Sequence, residues 1–207
     1  MRGMEGEIPR GPGAMTGWRD FCGTTQNDIT MATATRTSKN TQSKLREFFI
    51  EQLQDIYWAE QKLVKTLPKL ANAAHSADLR EAFNNHLEET RNHVTRIEQA
   101  FRMINEEPDS QECQAIKGII KEGEDIIDET EDETAQRDVG LIFAGQKAEH
   151  YEIATYGGLV QLAKTMGQSD VASLLQQTLM EEKMADQKLT EIAETSSNEA
   201  AAREKAD

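Results

Sequence analysis

Residues 45–67, LREFFIEQLQDIYWAEQKLVKTL, decide the fold. Leu45, Phe48, Phe49, Leu53, Ile56, Tyr57, Leu63, Val64 and Leu67 recur at three- and four-residue steps, the spacing of one helical face. At about 100° per residue, Glu60 falls on the line joining Leu53, Ile56, Leu63 and Leu67, where leucine would be expected. A carboxylate buried there loses its hydration and needs a partner. The same anomaly recurs three times further on, at Glu89, Glu149 and Glu182.

Working outward, Ser43 is a suitable N-cap for this first helix, and Pro68 predicts a bend or local change because it removes a backbone donor. The chain turns at 72–76. A second helix is expected from Ser76 or Asp78 to Asn105, with Leu79, Ala82, Phe83, Leu87, Val94, Ile97 and Phe101 inward, ended by Glu106-Glu107-Pro108-Asp109. Residues 111–136 carry scattered isoleucines interrupted by Gly118, Gly123 and the acidic run 128–133, which predicts a long crossover of one or two shorter helices. A third long helix is expected over Ala135–Met166, with Val139, Ile142, Phe143, Ile153, Tyr156 and Val160 inward. Gly157-Gly158 could kink it or permit close packing, and Gly167 suits its C-cap. The fourth runs over Ser169–Glu194 with Val171, Leu174, Leu175, Leu179, Leu189 and Ile192 inward. Two hairpins with short links, joined by one long crossover, make an all-α four-helix bundle at 41–195. Residues 196–207 are expected to fray. Residues 1–40, with Pro9, Pro12, many glycines and no periodicity, read as a disordered lead, and Met31 could be the natural start.

Composition agrees. Of 207 residues, 37% are hydrophobic and 29% charged, the proportions of a globular chain rather than a fibre or membrane protein. The net charge of -14 with no Lys/Arg block argues against nucleic acid. No apolar run is long enough to span a membrane, no signal peptide is visible, and the two cysteines form no pair motif, so a cytoplasmic location is expected.

The hairpins repeat one another. Ala59-Glu60 leads to Leu87-Glu88-Glu89-Thr90-Arg91-Asn92-His93, and Ala148-Glu149 leads to Met180-Glu181-Glu182-Lys183-Met184-Ala185-Asp186. Each therefore carries a glutamate on its first helix and, on its second, a glutamate with a potential ligand four residues later. Glu60, Glu149 and Glu182 are central to their stripes. Glu89 lies nearer the edge, Glu152 sits one turn beyond Glu149, and Asp186 mirrors His93. Carboxylates converging in a core repel unless cations neutralise them. Glu60, Glu89, His93, Glu149, Glu152, Glu182 and Asp186 are thus candidate ligands for two divalent metal ions. Hard oxygens plus imidazole suit Fe first, with Mn or Zn able to substitute. Tyr57 and Tyr156 are the catalytic candidates, able to carry an electron or to hydrogen-bond O₂ or peroxide. His86 and His150 read as supporting or surface residues, and His75 as a turn residue.

The stretches QLQDIYWAEQKLVKTLPKLANAA, LREAFNNHLEETRNHVTRIEQAF and AEHYEIATYGGLVQLAKTMG closely resemble the YciE/YciF group of the ferritin-like superfamily, over Leu45–Leu189. The resemblance implies a ferritin-like bundle, a homodimer and a stress-associated bacterial role. In the wider superfamily each helix supplies one or two ligands. Carried over, these are Glu60, then Glu89 and His93, then Glu149 with Glu152, then Glu182 with Asp186. The chain departs from that pattern in two places: Glu89 and His93 are four residues apart where the usual motif has three, and Asp186 stands where rubrerythrin-like proteins place histidine. It also lacks their CxxC iron site. The expected function is Fe(II) oxidation or peroxide consumption at a di-metal carboxylate site. The alternative is a helical structural or interaction protein with a vestigial or purely structural metal site. A storage cage is disfavoured by the lack of a short fifth helix or nucleation surface.

Overall fold

The computed structural model describes residues 43–205. The lead expected over 1–40, with Met31, lies outside the described residues. Helix α1 spans Lys44–Ala73, α2 Ala77–Met103, α3 Gln114–Glu129, α4 Ala135–Thr165, α5 Ser169–Ile192 and α6 Asn198–Ala201. The expected hairpins are present: α1 packs on α2 and α4 on α5. The pairs then meet through α1 against α4 and α2 against α5. The result is an all-helical four-helix bundle with one crossover. The crossover is a single helix, α3, laid against α4 and α1.

Local chemistry sets the boundaries. Ser43, Ser76 and Thr134 cap α1, α2 and α4 by accepting a hydrogen bond from the backbone N–H three residues on. Gly167 adopts φ +74° and lets the chain reverse into α5, a conformation that costs glycine little. At the other end of the bundle, buried Asp138 accepts hydrogen bonds from the backbone N–H groups of His75 (2.7 Å) and Ser76 (2.8 Å), which ties the α1–α2 turn to the start of α4.

Several expectations are corrected. Pro68 lies inside an uninterrupted α1. Gly157 and Gly158 neither break α4 nor admit a close neighbour: a Cβ at either would meet nothing within 4 Å. Close packing falls instead at Gly140 and Gly145, where a Cβ would lie 2.6 Å from Ile126 Cγ2 and 2.9 Å from Leu189 Cδ1. Leu45, Phe48 and Phe143, expected inward, are 37%, 48% and 62% exposed. They sit at the margins of stripes whose centres are taken by Phe49, Leu53, Leu141 and Ile142. The C-terminal segment is helical as far as Ala201. After a wide π-helical turn over Ala193–Ser197 comes the short α6. Glu204 then accepts hydrogen bonds from the backbone N–H groups of Ala135 (2.6 Å) and Gln136 (2.9 Å), satisfying free donors in the first turn of α4.

The core runs the length of the bundle, from Phe49, Leu53 and Phe101 near one end to Leu79, Phe83 and Leu189 near the other. Midway, the apolar layers are interrupted by a polar one. Glu60, His93 and Glu182 are each fully buried there.

Candidate metal centre

One face of each long helix feeds this layer. α1 contributes Glu60, α2 His86 and His93, α4 Glu149, Glu152 and Tyr156, and α5 Glu182. His86 and His93 are two turns apart and so share a face, each directed at the bundle axis. Their potential ligand atoms form two groups. His86, Glu149, Glu152 and Glu182 bring one atom each within 4.8 Å of one another; Glu60, His93 and Glu182 do the same beside them. Glu182 belongs to both.

The two histidines are wired alike. His86 Nδ1 points outward to Glu89 Oε2 at 3.3 Å, which leaves Nε2 facing Glu149 Oε1 (3.3 Å) and Glu182 Oε2 (3.7 Å). His93 Nε2 points outward to Glu181 Oε2 at 2.9 Å, and Glu181 is itself gripped by Arg96. His93 Nδ1 then lies 3.0 Å from Glu182 Oε1 and 3.5 Å from Glu60 Oε1, yet makes no hydrogen bond in line with either. An outer carboxylate holding one ring nitrogen leaves the other free to present a lone pair inward.

Seven of the eight buried side-chain nitrogen and oxygen atoms without a hydrogen-bond partner among the described residues belong to this layer: Glu60 Oε2, His93 Nδ1, Glu149 Oε2, both oxygens of Glu152 and both of Glu182. Buried polar groups are almost always paired, so such a concentration marks a place built for something that supplies the pairing. Electrostatics agrees. Burial pushes the carboxyls of Glu149 and Glu152 well above the usual carboxylate range, and Glu182 adds to both shifts. Glu60 is raised by burial, although His93 opposes the shift. Burial works to lower the histidines, but the carboxylates around them prevail. Glu149 and Glu89 bring His86 to about 9, and Glu182 and Glu60 bring His93 to about 11. Without a cation, protons on histidine and glutamate are what balances the layer.

The structure brings Glu60, His93, Glu149, Glu152 and Glu182 together and leaves three expected residues apart. Glu89 is half-exposed, with a side chain 44% accessible, and serves as the outer acceptor of His86. Asp186 lies one turn beyond Glu182 and turns to Gln146 and to exposed His150, both at 3.3 Å. Tyr57 points between α1 and α2, where its hydroxyl donates to Glu98 Oε1 at 2.9 Å and its ring packs edge-on against Phe101. Tyr156 is where it was expected: fully buried, it donates from Oη to Glu60 Oε1 at 2.5 Å, with its ring edge-on to His93. His86, expected only to support, stands in the centre. Its signal was the seven-residue interval to His93, which puts both on one face.

Residues 44–202 match the family described as a domain of unknown function, DUF892. The chain is also 43% identical over 150 residues to protein YciF of Escherichia coli K12, an overlap of 72% of this chain and 90% of that one. The chain belongs to this family. Among solved structures, the E. coli stress protein YciF superposes with a TM-score of 0.71 at 39% identity, over 78% of this chain and 99% of that chain. YcfI of Rhodopseudomonas palustris, provisionally described as a structural protein, gives 0.69 at 36%, over 73% and 96%. A Xanthomonas campestris protein, at 22% identity and a TM-score of 0.62 over 77% and 98%, shares the fold. These solved relatives share the all-helical fold over the matched length, and among the described residues of this chain no helix is long and apolar enough to cross a membrane.

Proposed function

We propose that this chain is a ferritin-like redox protein whose core holds two divalent metal ions, iron in preference to manganese or zinc, and that it oxidises Fe(II) or consumes peroxide under stress. The carrying observation is the set of seven unpartnered buried atoms on Glu60, His93, Glu149, Glu152 and Glu182. The donor set fits. Glu60, His93 and Glu182 would hold one ion, and His86, Glu149, Glu152 and Glu182 the other. Glu182 is the carboxylate common to both groups. Mostly oxygen donors with one imidazole in each group suit iron or manganese.

When bound, iron supplies the one-electron reducing equivalents for dioxygen or peroxide. The protein's own residues do the rest. Leucines and isoleucines above and below the layer lower the local dielectric, which strengthens each electrostatic contact inside it. Glu89 and Glu181 fix the two imidazoles. Tyr156 keeps its phenolic proton, because burial and Glu60 hold it well above the ordinary tyrosine range, and so stays a hydrogen-bond donor to Glu60. A cytoplasmic homodimer completes the reading, and the exposed ring of Phe143 is an apolar feature that a second copy would cover.

The rival is a helical structural protein with a vestigial or purely structural metal site, and it draws on the description of the Rhodopseudomonas relative. Anaerobic loading with Fe(II) followed by dioxygen or peroxide separates the two. The redox reading expects oxidant consumption and Fe(III) absorbance above that of free iron, both lost in Glu60→Ala and Glu149→Ala. Metal retained with no oxidant consumed favours the structural protein.

A further inference from the structure

We propose that the cleft between α2 and α5 is the route by which divalent cations reach the centre, an acidic funnel whose floor is Glu149 and His86. The proposal rests on the metal-binding reading and adds to it the path and the means of attraction.

The two sides of the polar layer differ. On the α1–α4 side, α3 covers the bundle and leaves a void of only about 20 Å³ beside Glu152. On the α2–α5 side a cleft of about 470 Å³ opens from solvent down to the centre. That is many times the roughly 30 Å³ share of one water, so a cation can come in with its hydration and shed it at the floor. Asp78, Glu81 and Glu89 line it from α2 and Glu191 from α5. Lys188 is the one lysine or arginine in the lining, and Glu191 pairs with it at 3.1 Å. Asp78 and Glu81 have no such partner among the described residues, whereas acidic side chains elsewhere do: Glu124 pairs with Lys69 and Glu122 with Lys147. Acidic walls over a low-dielectric floor focus the field and raise the local cation concentration.

Wall charge alone would be an ordinary acidic surface. The floor supplies the independent observation. Glu149 is 4% exposed, lines the cleft and has Oε2 without any partner. His86 beside it turns Nε2 to the other oxygen of that carboxylate, Glu149 Oε1, at 3.3 Å. A cation drawn down the cleft therefore meets Glu149 and His86 first, before the sealed group around Glu60 and His93.

The test is stopped-flow mixing of the full apo chain with Co(II) at low and high salt, read by the ligand-field absorbance, with final stoichiometry measured separately. The wall variant Glu81→Lys/Glu191→Lys is compared with Glu51→Lys/Glu107→Lys, an equal charge change at the far end of the bundle. The wall variant should slow association on the order of 10-fold at low salt while the control stays close to the parent, and the gap should close at high salt. Final Co(II) per chain should be unchanged in both. Ala185→Phe, which narrows the cleft without changing charge, should slow association at every salt concentration. Equal rates in wall and control variants, or no effect of Ala185→Phe, would overturn the funnel while leaving metal binding intact. No Co(II) uptake by the parent chain would overturn the metal reading itself, and the funnel with it.

Discussion

The two clusters of potential ligands share Glu182 but sit in opposite surroundings. The His86–Glu149–Glu152 group adjoins the cleft, and its histidine is steadied by half-exposed Glu89. The Glu60–His93 group is sealed: Tyr156 donates to Glu60, and Glu181, clamped by Arg96, holds His93. One half is placed to exchange with solvent and the other to be held rigid. The asymmetry follows from the neighbours: His86 and Glu149 line the cleft, whereas Tyr156 and the Arg96–Glu181 pair close over Glu60 and His93.

The largest expected effect comes from removing what the halves share. Glu182→Ala should abolish binding of both ions, measured as metal per chain after Mn(II) or Fe(II) loading. His86→Ala and His93→Ala should each lose one ion and keep the other. Next comes the outer clamp. Glu181→Ala frees His93 to turn, and metal affinity should fall by about 10- to 100-fold in the sealed group alone, with Glu181→Gln recovering part of it as a remaining acceptor. Loss at both groups would show that the clamp holds the layer as a whole.

The pH dependence comes next, with its sign set by raised pKa values in both residue types. Folded Glu149 and Glu152 keep protons that the unfolded chain has released once pH exceeds the ordinary 4.5. Folded His86 and His93 keep theirs beyond the ordinary 6.5, up to about 9 and about 11. The native state binds more protons throughout, so apoprotein stability should fall as pH rises from about 5 to about 9. The histidine contribution is complete below 6.5 and is lost through about 9 and then about 11. Metal binding displaces these protons, so the Mn(II)-induced rise in melting temperature should grow over the same range. A flat apoprotein profile would contradict the protonation balance.

A smaller effect has the opposite sign. Glu152→Leu should make the apoprotein more stable while weakening metal binding, because a buried carboxyl with both oxygens unpartnered costs folding free energy. The smallest concerns the residues set apart: Tyr57→Phe and Asp186→Asn should leave metal content unchanged.

The element pattern was legible because long helices repeat their period many times. All four bundle helices and both short links follow from it. Glu60, Glu149 and Glu182 were legible for the same reason, being central to apolar stripes. Glu89 was misplaced because its offset from the His86–His93 line is a fraction of a turn, which decides between an inward ligand and an outward clamp. Asp186 was drawn in by its match to His93 in the repeat, although it lies one turn further along α5. Tyr57 is near Glu60 in sequence but turned aside, and only the packing of α2 shows that Glu98 is its partner. The clamps of Glu181 on His93 and of Glu204 on α4 join residues far apart in the chain, and no local spacing announces them.

On the proposed reading, the buried glutamates and histidines form a centre for two metal ions. Metal analysis of the parent chain, purified without chelator and loaded with Fe(II) or Mn(II), tests it most directly. Two ions per chain, falling to none in Glu182→Ala, is the expected result. Near-zero metal in the loaded parent chain, or metal content unmoved by Glu182→Ala, would contradict it.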